Sequence, residues 1–209
     1  MLKLRSVFLI IIAALTFASA VSMAESSVTV EQGGAYNEID LMQTGDDITT
    51  LIRQEGTNQD ADLTIDGHGH DGEVRQSGHG NLADVSVMGS GHSFIIRQGG
   101  DNLDAHLHQE GVGHMATISQ KGDNNLAILH QAGEQHIADI DQSGDSHEAS
   151  INQSGFDNQA NIEQRGFNHQ ADVTQIGNGN RYSLVQAGQN QSAPNVTQTG
   201  GASATIFQN

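Results

Sequence analysis

Residues 153–164 read QSGFDNQANIEQ, and residues 164–175 read QRGFNHQADVTQ, so the second stretch begins on the glutamine that ends the first. Both stretches carry Gly two places after the first Gln, Ala seven places after it and an aliphatic residue nine places after it. Counted in steps of eleven from Gln32 to Gln186, Gln stands at thirteen of fifteen marks, and Gly follows two places after every mark. The chain is therefore built from many copies of one short unit, and this unit decides the fold class.

An eleven-residue period fits two kinds of backbone. It is close to a whole number of helical turns and would give a right-handed helical coil, but a Gly in every unit would cost a helix about 1 kcal/mol per copy relative to Ala. The positions of fixed character lie five, seven, nine and eleven places after the mark, which is the alternation of a strand. The other positions are rich in Gly, Asn, Asp and Ser, which favour turns. We therefore predict about seven residues of strand and about four of turn in each unit.

Two such units make one coil of twenty-two residues, and stacked coils make a β-solenoid. The predicted fold is all-β: a two-sheet β-solenoid over residues 25–209, with seventeen strands in about eight coils. At about 4.8 Å per coil, the stack would be about 38 Å long. A narrow slot between two sheets also explains the composition, because 35% hydrophobic and 4% aromatic residues are few for a globular core.

Amide side chains occupy inward positions of this frame, where burial is costly unless each amide is hydrogen-bonded. One coil apart, each amide meets a like amide, so that each can donate to the next side chain and accept from the previous one. The predicted amide ladder consists of Gln43, Gln54, Gln76, Gln98, Gln109, Gln120, Gln131, Gln142, Gln153, Gln164, Gln175, Gln186, Asn81, Asn125, Asn158 and Asn180. The predicted turn glycines are Gly45, Gly56, Gly78, Gly100, Gly111, Gly122, Gly144, Gly155, Gly166, Gly177 and Gly188.

Histidines recur at the spacing of two units, which is one coil. His70, His92, His114 and His136 are predicted to form one inward column, and His147 and His169 lie in the other. Two interpretations are open: a neutral imidazole replaces Asn, with one nitrogen donating and the other accepting, or the column binds a metal or senses pH. The first is favoured, because imidazoles in a row at strand spacing do not converge on one ion. Under both interpretations, protonation of the rings near pH 5–6 is expected to loosen the column.

Outward positions form columns of charge. Asp40, Asp62 and Asp84 are predicted to stack on one face, and Arg53, Arg75 and Arg97 on the other, where Ser119, Asp141 and Glu163 continue the column. This is either an ordinary solvated surface or an electrostatic bias on the register between subunits. Near the C-terminus, Pro194 and one extra residue delay Gln198 and Gly200 by one place, which predicts a bulge in the last coil.

Composition excludes several functional classes. A net charge of -17 disfavours nucleic acid as a partner, and a chain with no Cys has no disulfide or thiolate site. His, Asp, Glu and Ser all lie on ladders or turns of the repeat, so we predict no enzyme, no cofactor and no metal site. The loop DGHGHDG, residues 66–72, resembles a metal loop, but it is also turn and strand start in the same frame.

The N-terminus carries the marks of a secretory signal peptide over residues 1–24. Lys3 and Arg5 precede the apolar stretch 7–18, which is too short to span a bilayer, and small residues up to Ala24 offer a cleavage site. We expect cleavage after Ala24, export of residues 25–209 and no membrane-spanning segment in the mature chain.

The repeat resembles the curlin repeat family, the subunits of curli amyloid fibres, whose motif runs Gln-x-Gly-x-x-Asn-x-Ala-x-x-x-Gln. Gln153, Gly155, Asn158, Ala160 and Gln164 match it letter for letter. The likeness extends over about residues 26–209, although His often replaces Asn at the sixth letter.

This resemblance implies a self-assembling subunit of extracellular cell-surface fibres, with roles in biofilm matrix and adhesion. Its implied partners are further copies of itself, a nucleator subunit and a dedicated outer-membrane secretion machinery. Two alternatives are kept: a monomeric secreted solenoid that acts as an adhesin or binding surface, and a fibre nucleator in place of a major subunit. A monomer needs polar caps over its first and last coils, and no obvious cap stands at residues 26–32 or at Gln208.

Overall fold

The computed structural model describes residues 2–7, 11–17 and 26–209, the first two ranges by their backbone. Among these residues it contains strands only: β1 Leu2–Val7, β2 Ile11–Phe17, β3 Ser26–Asp46, β4 Thr49–Thr57, β5 Asp60–His68, β6 Asp71–His79, β7 Leu82–Ser90, β8 Ser93–Asp101, β9 Asp104–Val112, β10 Met115–Asp123, β11 Leu126–Glu134, β12 Ile137–Asp145, β13 Glu148–Phe156, β14 Gln159–Phe167, β15 Gln170–Asn178, β16 Arg181–Gln189, β17 Val196–Thr199 and β18 Ser203–Gln208. No helix that could span a membrane occurs in this part of the chain.

Strands β3–β18 are parallel, and each strand from β4 to β16 pairs with the strand after next, so the chain winds as a solenoid. Residues 27–35 of β3 pair with β4, and the even-numbered strands continue this first stack to β18. Residues 38–46 of β3 pair with β5, and the odd-numbered strands continue the second stack to β17. Paired residues are two units apart in sequence, as in Ile96 with Ile118. The predicted β-solenoid with about 22 residues per coil and about eight coils is confirmed.

The predicted division into seven strand and four turn residues is wrong. From β4 to β16 each strand has nine residues, and two residues separate consecutive strands within this range. The difference arises at the repeat glycine, which keeps its place in the ladder: Gly100 has a φ of 147° and pairs with Gly122. The chain turns two places later, where Asn102 takes a φ of 56°. The repeat glycine is therefore the part of the strand that leads into the turn, and the turn itself follows two residues later.

The core is a thin layer between the two stacks. Along each strand the small and aliphatic residues point inward, so that Ala116 and Ile118 in β10 are 1% and 0% exposed, while their neighbours alternate outward. Phe94 is a large residue at a position where most units have Ala, and it fits because Gly72 lies one coil before it. Gly72 leaves the space that the Phe94 ring occupies.

The last coil contains the irregularity that Pro194 predicts. Val173 of β15 pairs with Val196 of β17, one place further along the chain than the regular coil spacing, whereas Gln170 still bridges Ser192 at the regular spacing. The extra residue lies between these two pairs. Strand β18 then returns to the regular spacing, with Arg181 opposite Ser203.

The first coil has a second neighbour on its other edge. Strands β1 and β2, which lie within the predicted signal peptide, pair antiparallel with β3, with Leu2 opposite Leu41 and Ile11 opposite Gln32. The predicted cleavage site after Ala24 lies outside the described residues. The division into residues 1–24 and 25–209 stays a prediction.

Candidate functional site

A continuous chain of glutamine side chains runs through the first stack. In each pair the Nε2 of one Gln donates to the Oε1 of the Gln one coil later, at 2.7–3.0 Å. Its members are Gln32, Gln54, Gln76, Gln98, Gln120, Gln142, Gln164, Gln186 and Gln208. The same nitrogen also donates across the slot to a backbone carbonyl, as from Gln120 to Asp104 at 2.9 Å. The ladder therefore ties each coil to the next and the two stacks to each other.

The second stack has a shorter ladder. Gln109, Gln131, Gln153, Gln175 and Gln198 are linked in the same direction at 2.7–2.9 Å. Gln43 is not part of it, which corrects the prediction. The two coils after Gln43 carry Ile65 and Val87 in its column, and Gln43 bonds instead to Ile48 O at 3.3 Å and to Thr50 Oγ1 at 3.0 Å.

The asparagines bond to backbone, which corrects their predicted pairing with like amides. Asn81 Nδ2 donates to Ser77 O and to Gly100 O, both at 3.0 Å, and its Oδ1 accepts from Leu103 N at 2.9 Å. Asn125 makes the same three kinds of bond, and so does Asn158. A direct amide pair joins Asn180 Nδ2 to Asn158 Oδ1 at 3.0 Å. The short Asn side chain stays beside the corner and satisfies backbone groups there.

Histidine takes over this backbone role. The N–H of His114 donates to Nδ1 of His92 at 3.1 Å, and the N–H of His136 donates to Nδ1 of His114 at 3.1 Å. The other nitrogen, Nε2, lies 3.0 Å from Glu110 O in His114 and 3.1 Å from Met88 O in His92. An Nδ1 that accepts and an Nε2 that donates define a neutral ring with its proton on Nε2. His147 and His169 repeat the pattern in the other column.

The rings also stack face to face. Centroids of His70, His92, His114 and His136 are 4.9–5.1 Å apart, and the rings are within 13° of parallel. Burial lowers the pKa of His114 to about 4, and the neighbouring rings of His92 and His136 contribute to the lowering. Burial likewise lowers the pKa of His70, His92 and His136. The column is therefore held in its neutral form by the fold.

The rings of this column are not arranged around a common point where a metal ion could bind. Both nitrogens of His92 and of His114 are hydrogen-bonded to backbone groups, and nearly parallel rings 4.9 Å apart do not converge on one ion. Within residues 26–209, no three His, Asp or Glu side chains form a group that could hold a metal ion.

The repeat glycines are required by close stacking as well as by φ. A Cβ built on Gly111 would lie 2.0 Å from Gly133 O in the next coil, and Gly111 has a φ of 126°. The other predicted turn glycines take positive φ in the same way. The glycines therefore set how closely two coils approach at the corner.

The outward charge columns have the predicted alignment. Arg53, Arg75 and Arg97 lie in successive coils, and Asp40, Asp62 and Asp84 do so on the other face. The arginines pair with acids: Arg53 Nη2 lies 2.6 Å from Glu31, and both Arg75 and Arg97 contact Glu73, at 2.5 and 3.4 Å. Sequence reasoning missed the role of Glu73, although its position two places before Arg75 puts it on the same face.

A comparison with protein families finds the curlin associated repeat twice, at residues 122–155 and 155–188. The chain carries curlin repeats. Each match runs from one repeat glycine to another and covers three of the eleven-residue units. The matched repeats cover about a third of the chain, and the same frame of marks continues on both sides of them, from Gln32 to Gln208. Neither the curated proteins nor the solved structures contain a match to the chain.

Proposed function

We propose that this curlin-repeat protein is a structural subunit of extracellular curli-type amyloid fibres. The curlin repeats and the β-solenoid support a structural role. The observation that carries the fibre proposal is the glutamine ladder, which keeps one polarity through nine side chains of the first stack. A parallel stack bound by identical side chains gains the same bonds from one more coil of another copy.

Once residues 1–24 are removed and β1 and β2 no longer pair with β3, both ends of the stack of residues 26–209 suit addition of a strand. Within residues 26–209, β17 and β18 each pair on one edge, and β3 is the first strand of both stacks. Unpaired edges of this length are templates for another chain. Fibres built this way would be expected at the cell surface after export, in contact with further copies, a nucleator and an outer-membrane secretion machinery, and they would serve biofilm matrix and adhesion.

The test is assembly of the predicted mature chain. Residues 25–209 are purified in denaturant, transferred to buffer at pH 7.5, and followed by thioflavin T fluorescence and electron microscopy. We expect a lag, then fibres with a spacing of about 4.8 Å along the axis in X-ray diffraction. A folded chain that stays monomeric by light scattering would contradict the proposal and favour the monomeric solenoid adhesin.

A further inference from the structure

The number of eleven-residue units determines how two copies can join. Strand β3 supplies two units and β4–β18 supply one each, so the stack of residues 26–208 has seventeen. Because seventeen is odd, the first and the last unit of the solenoid lie in the same one of its two stacks. Residues 27–35 of β3 and strand β18 both lie in the first stack. A unit that follows β18 in the winding must therefore lie over β17, in the second stack.

The glutamine ladders are incomplete at both ends in a complementary way. Gln32 Oε1 is buried and accepts no hydrogen bond within the described part of the chain. At the other end, again within residues 26–209, Gln198 Nε2 donates only to Arg181 O and Gln208 Nε2 only to Ser192 O. Within the ladder, the corresponding nitrogens donate in addition to the next Gln. The first coil offers an acceptor, and the last coil offers two donors.

We propose that successive copies join head to tail with a half-turn about the fibre axis between them, a step that rests on the proposed fibre function. Residues 27–35 of β3 in one copy pair with β17 of the copy before it, and residues 38–46 pair with β18. Gln198 then donates to the partner's Gln32, and Gln208 donates to the partner's Gln43. The glutamine that stands outside the ladder within one chain thus joins a ladder at the junction.

Surface chemistry favours the half-turn over a junction without rotation. With the half-turn, Phe207, which is 71% exposed, lies beside the partner's Met42, which is 47% exposed. Ile206 meets the partner's Leu41 in the slot. Without rotation, Phe207 would lie beside the partner's Glu31. The second stack would then be broken by a missing unit, since β17 and residues 38–46 of the partner would lie about 9.6 Å apart, two strand spacings.

The same geometry makes removal of residues 1–24 a condition for joining. Strands β1 and β2 pair with Ala35–Leu41 and Ser26–Gln32, on the edge of β3 that the previous copy needs. One edge cannot pair with two strands at once. A chain that keeps residues 1–24 is therefore expected not to elongate from this end.

Cysteine cross-linking tests the half-turn, because the chain has no Cys of its own. In residues 25–209, F207C/M42C places thiols on neighbouring strands across a half-turn junction, and F207C/E31C places them across an unrotated one. Neighbouring strands are close enough for a disulfide. After oxidation of fibres, we expect non-reducing gels to show multimers for F207C/M42C and monomer for F207C/E31C. The reverse result would overturn the half-turn and leave the fibre function standing.

Two further measurements keep the outcome decisive. If replacing Phe207 prevents assembly, the same test is made two residues earlier on the same strand. T205C/D40C then reports the half-turn junction, and T205C/T29C reports the unrotated one. Electron cryo-microscopy of unmodified fibres should give a rise of about 41 Å per subunit, from seventeen units of about 2.4 Å. The rotation per subunit should be a half-turn apart from the twist of the solenoid. Subunits related by that twist alone would refute the junction, whereas absence of fibres from residues 25–209 would refute the proposed function itself.

Discussion

The backbone N–H of His114 donates to Nδ1 of His92 at 3.1 Å, so the ring of one coil accepts a hydrogen bond from the backbone of the next. A proton on that Nδ1 would remove the acceptor and place two donors face to face. Nδ1 of His70 and Nδ1 of His136 accept the same bond from the next coil, and the last donor in the column is the backbone N–H of Asn158. This column therefore couples the charge state of each ring to the stacking of the coil after it.

We expect fibre stability to fall with acid. The pKa of these rings lies below 6.5 in the folded state, so the dissociated, unfolded chain takes up protons first as pH falls. Stability is then complete above about pH 6.5 and declines towards pH 4, where His114 would titrate in the fold. Residual soluble protein after equilibration in denaturant, measured from pH 7.5 to 4.5, should rise below pH 6.5.

The matched control for this effect replaces His70, His92, His114 and His136 together with Asn. Asn makes the equivalent bonds at Asn81 and Asn125 without a titratable ring. We expect this variant to assemble and to lose most of the change between pH 6.5 and 4.5. An equally steep pH profile in both proteins would assign the effect to carboxylates instead.

Replacement of Gln120 with Ala should weaken the stack more than replacement of Gln43. Removal of Gln120 leaves Gln142 Oε1 without its donor and Gln98 Nε2 without one of its acceptors, at a cost of about 2–4 kcal/mol for buried groups of this kind. Gln43 is half-buried, and the residue one coil after it is Ile65, so a monomer-level loss below about 1 kcal/mol is expected. Equilibrium denaturation of residues 25–209, at protein concentrations too low for fibres to form, compares the two variants. Equal losses for the two replacements would contradict the role assigned to the ladder.

The sequence predicted most of this architecture because one period governs it. Each inward position repeats at eleven residues, so the identity of a column follows from counting, and the solenoid, its coil length and the bulge near Pro194 were all accessible. The sequence did not predict that Gly100 belongs to the strand and Asn102 to the turn. A glycine with positive φ is normally assigned to a turn, whereas here it remains paired with the glycine of the next coil. The hydrogen-bond partners of Asn81 were not predicted. The repeat pattern gives the position of each amide, but the length of its side chain decides whether it reaches a backbone group or another amide.

Gly111→Ala is expected to prevent close stacking at its corner. The added Cβ would approach Gly133 O to 2.0 Å, and both atoms belong to paired backbones that cannot move independently. Gly113→Asn is the control, since nothing lies within 3.4 Å of its Cβ and Asn takes a φ of 56° at position 102 and 57° at position 124. Fibre yield from equal protein should drop several-fold for Gly111→Ala and stay unchanged for Gly113→Asn; equal yields would contradict the role assigned to the repeat glycine.

Gly72 and Phe94 should behave as a coupled pair. A Cβ on Gly72 would lie 2.3 Å from the Phe94 ring, so Gly72→Ala is expected to cost about 1–3 kcal/mol through overpacking. Phe94→Ala alone should cost about 3–5 kcal/mol by leaving a cavity. The double variant restores the Ala column of the repeat, so its loss should be smaller than the sum of the two, as a double-mutant cycle in denaturant would show. Additive losses would mean that the two residues do not share one space.

Reversal of Arg53, Arg75 and Arg97 to Glu should change the rate of assembly more than the fold. In the native chain these cations neutralise Glu31 and Glu73, and the reversed chain would stack five carboxylates on one face. Like charges at strand spacing repel, and the repulsion is strongest at low salt. We expect slower elongation in 10 mM salt, recovery in 500 mM salt, and an unchanged spacing of about 4.8 Å in fibres that do form. The triple variant to Gln is the control, since it removes the ion pairs without adding negative charge. Equal elongation rates for Glu and Gln variants at low salt would show that the column acts as a solvated surface alone.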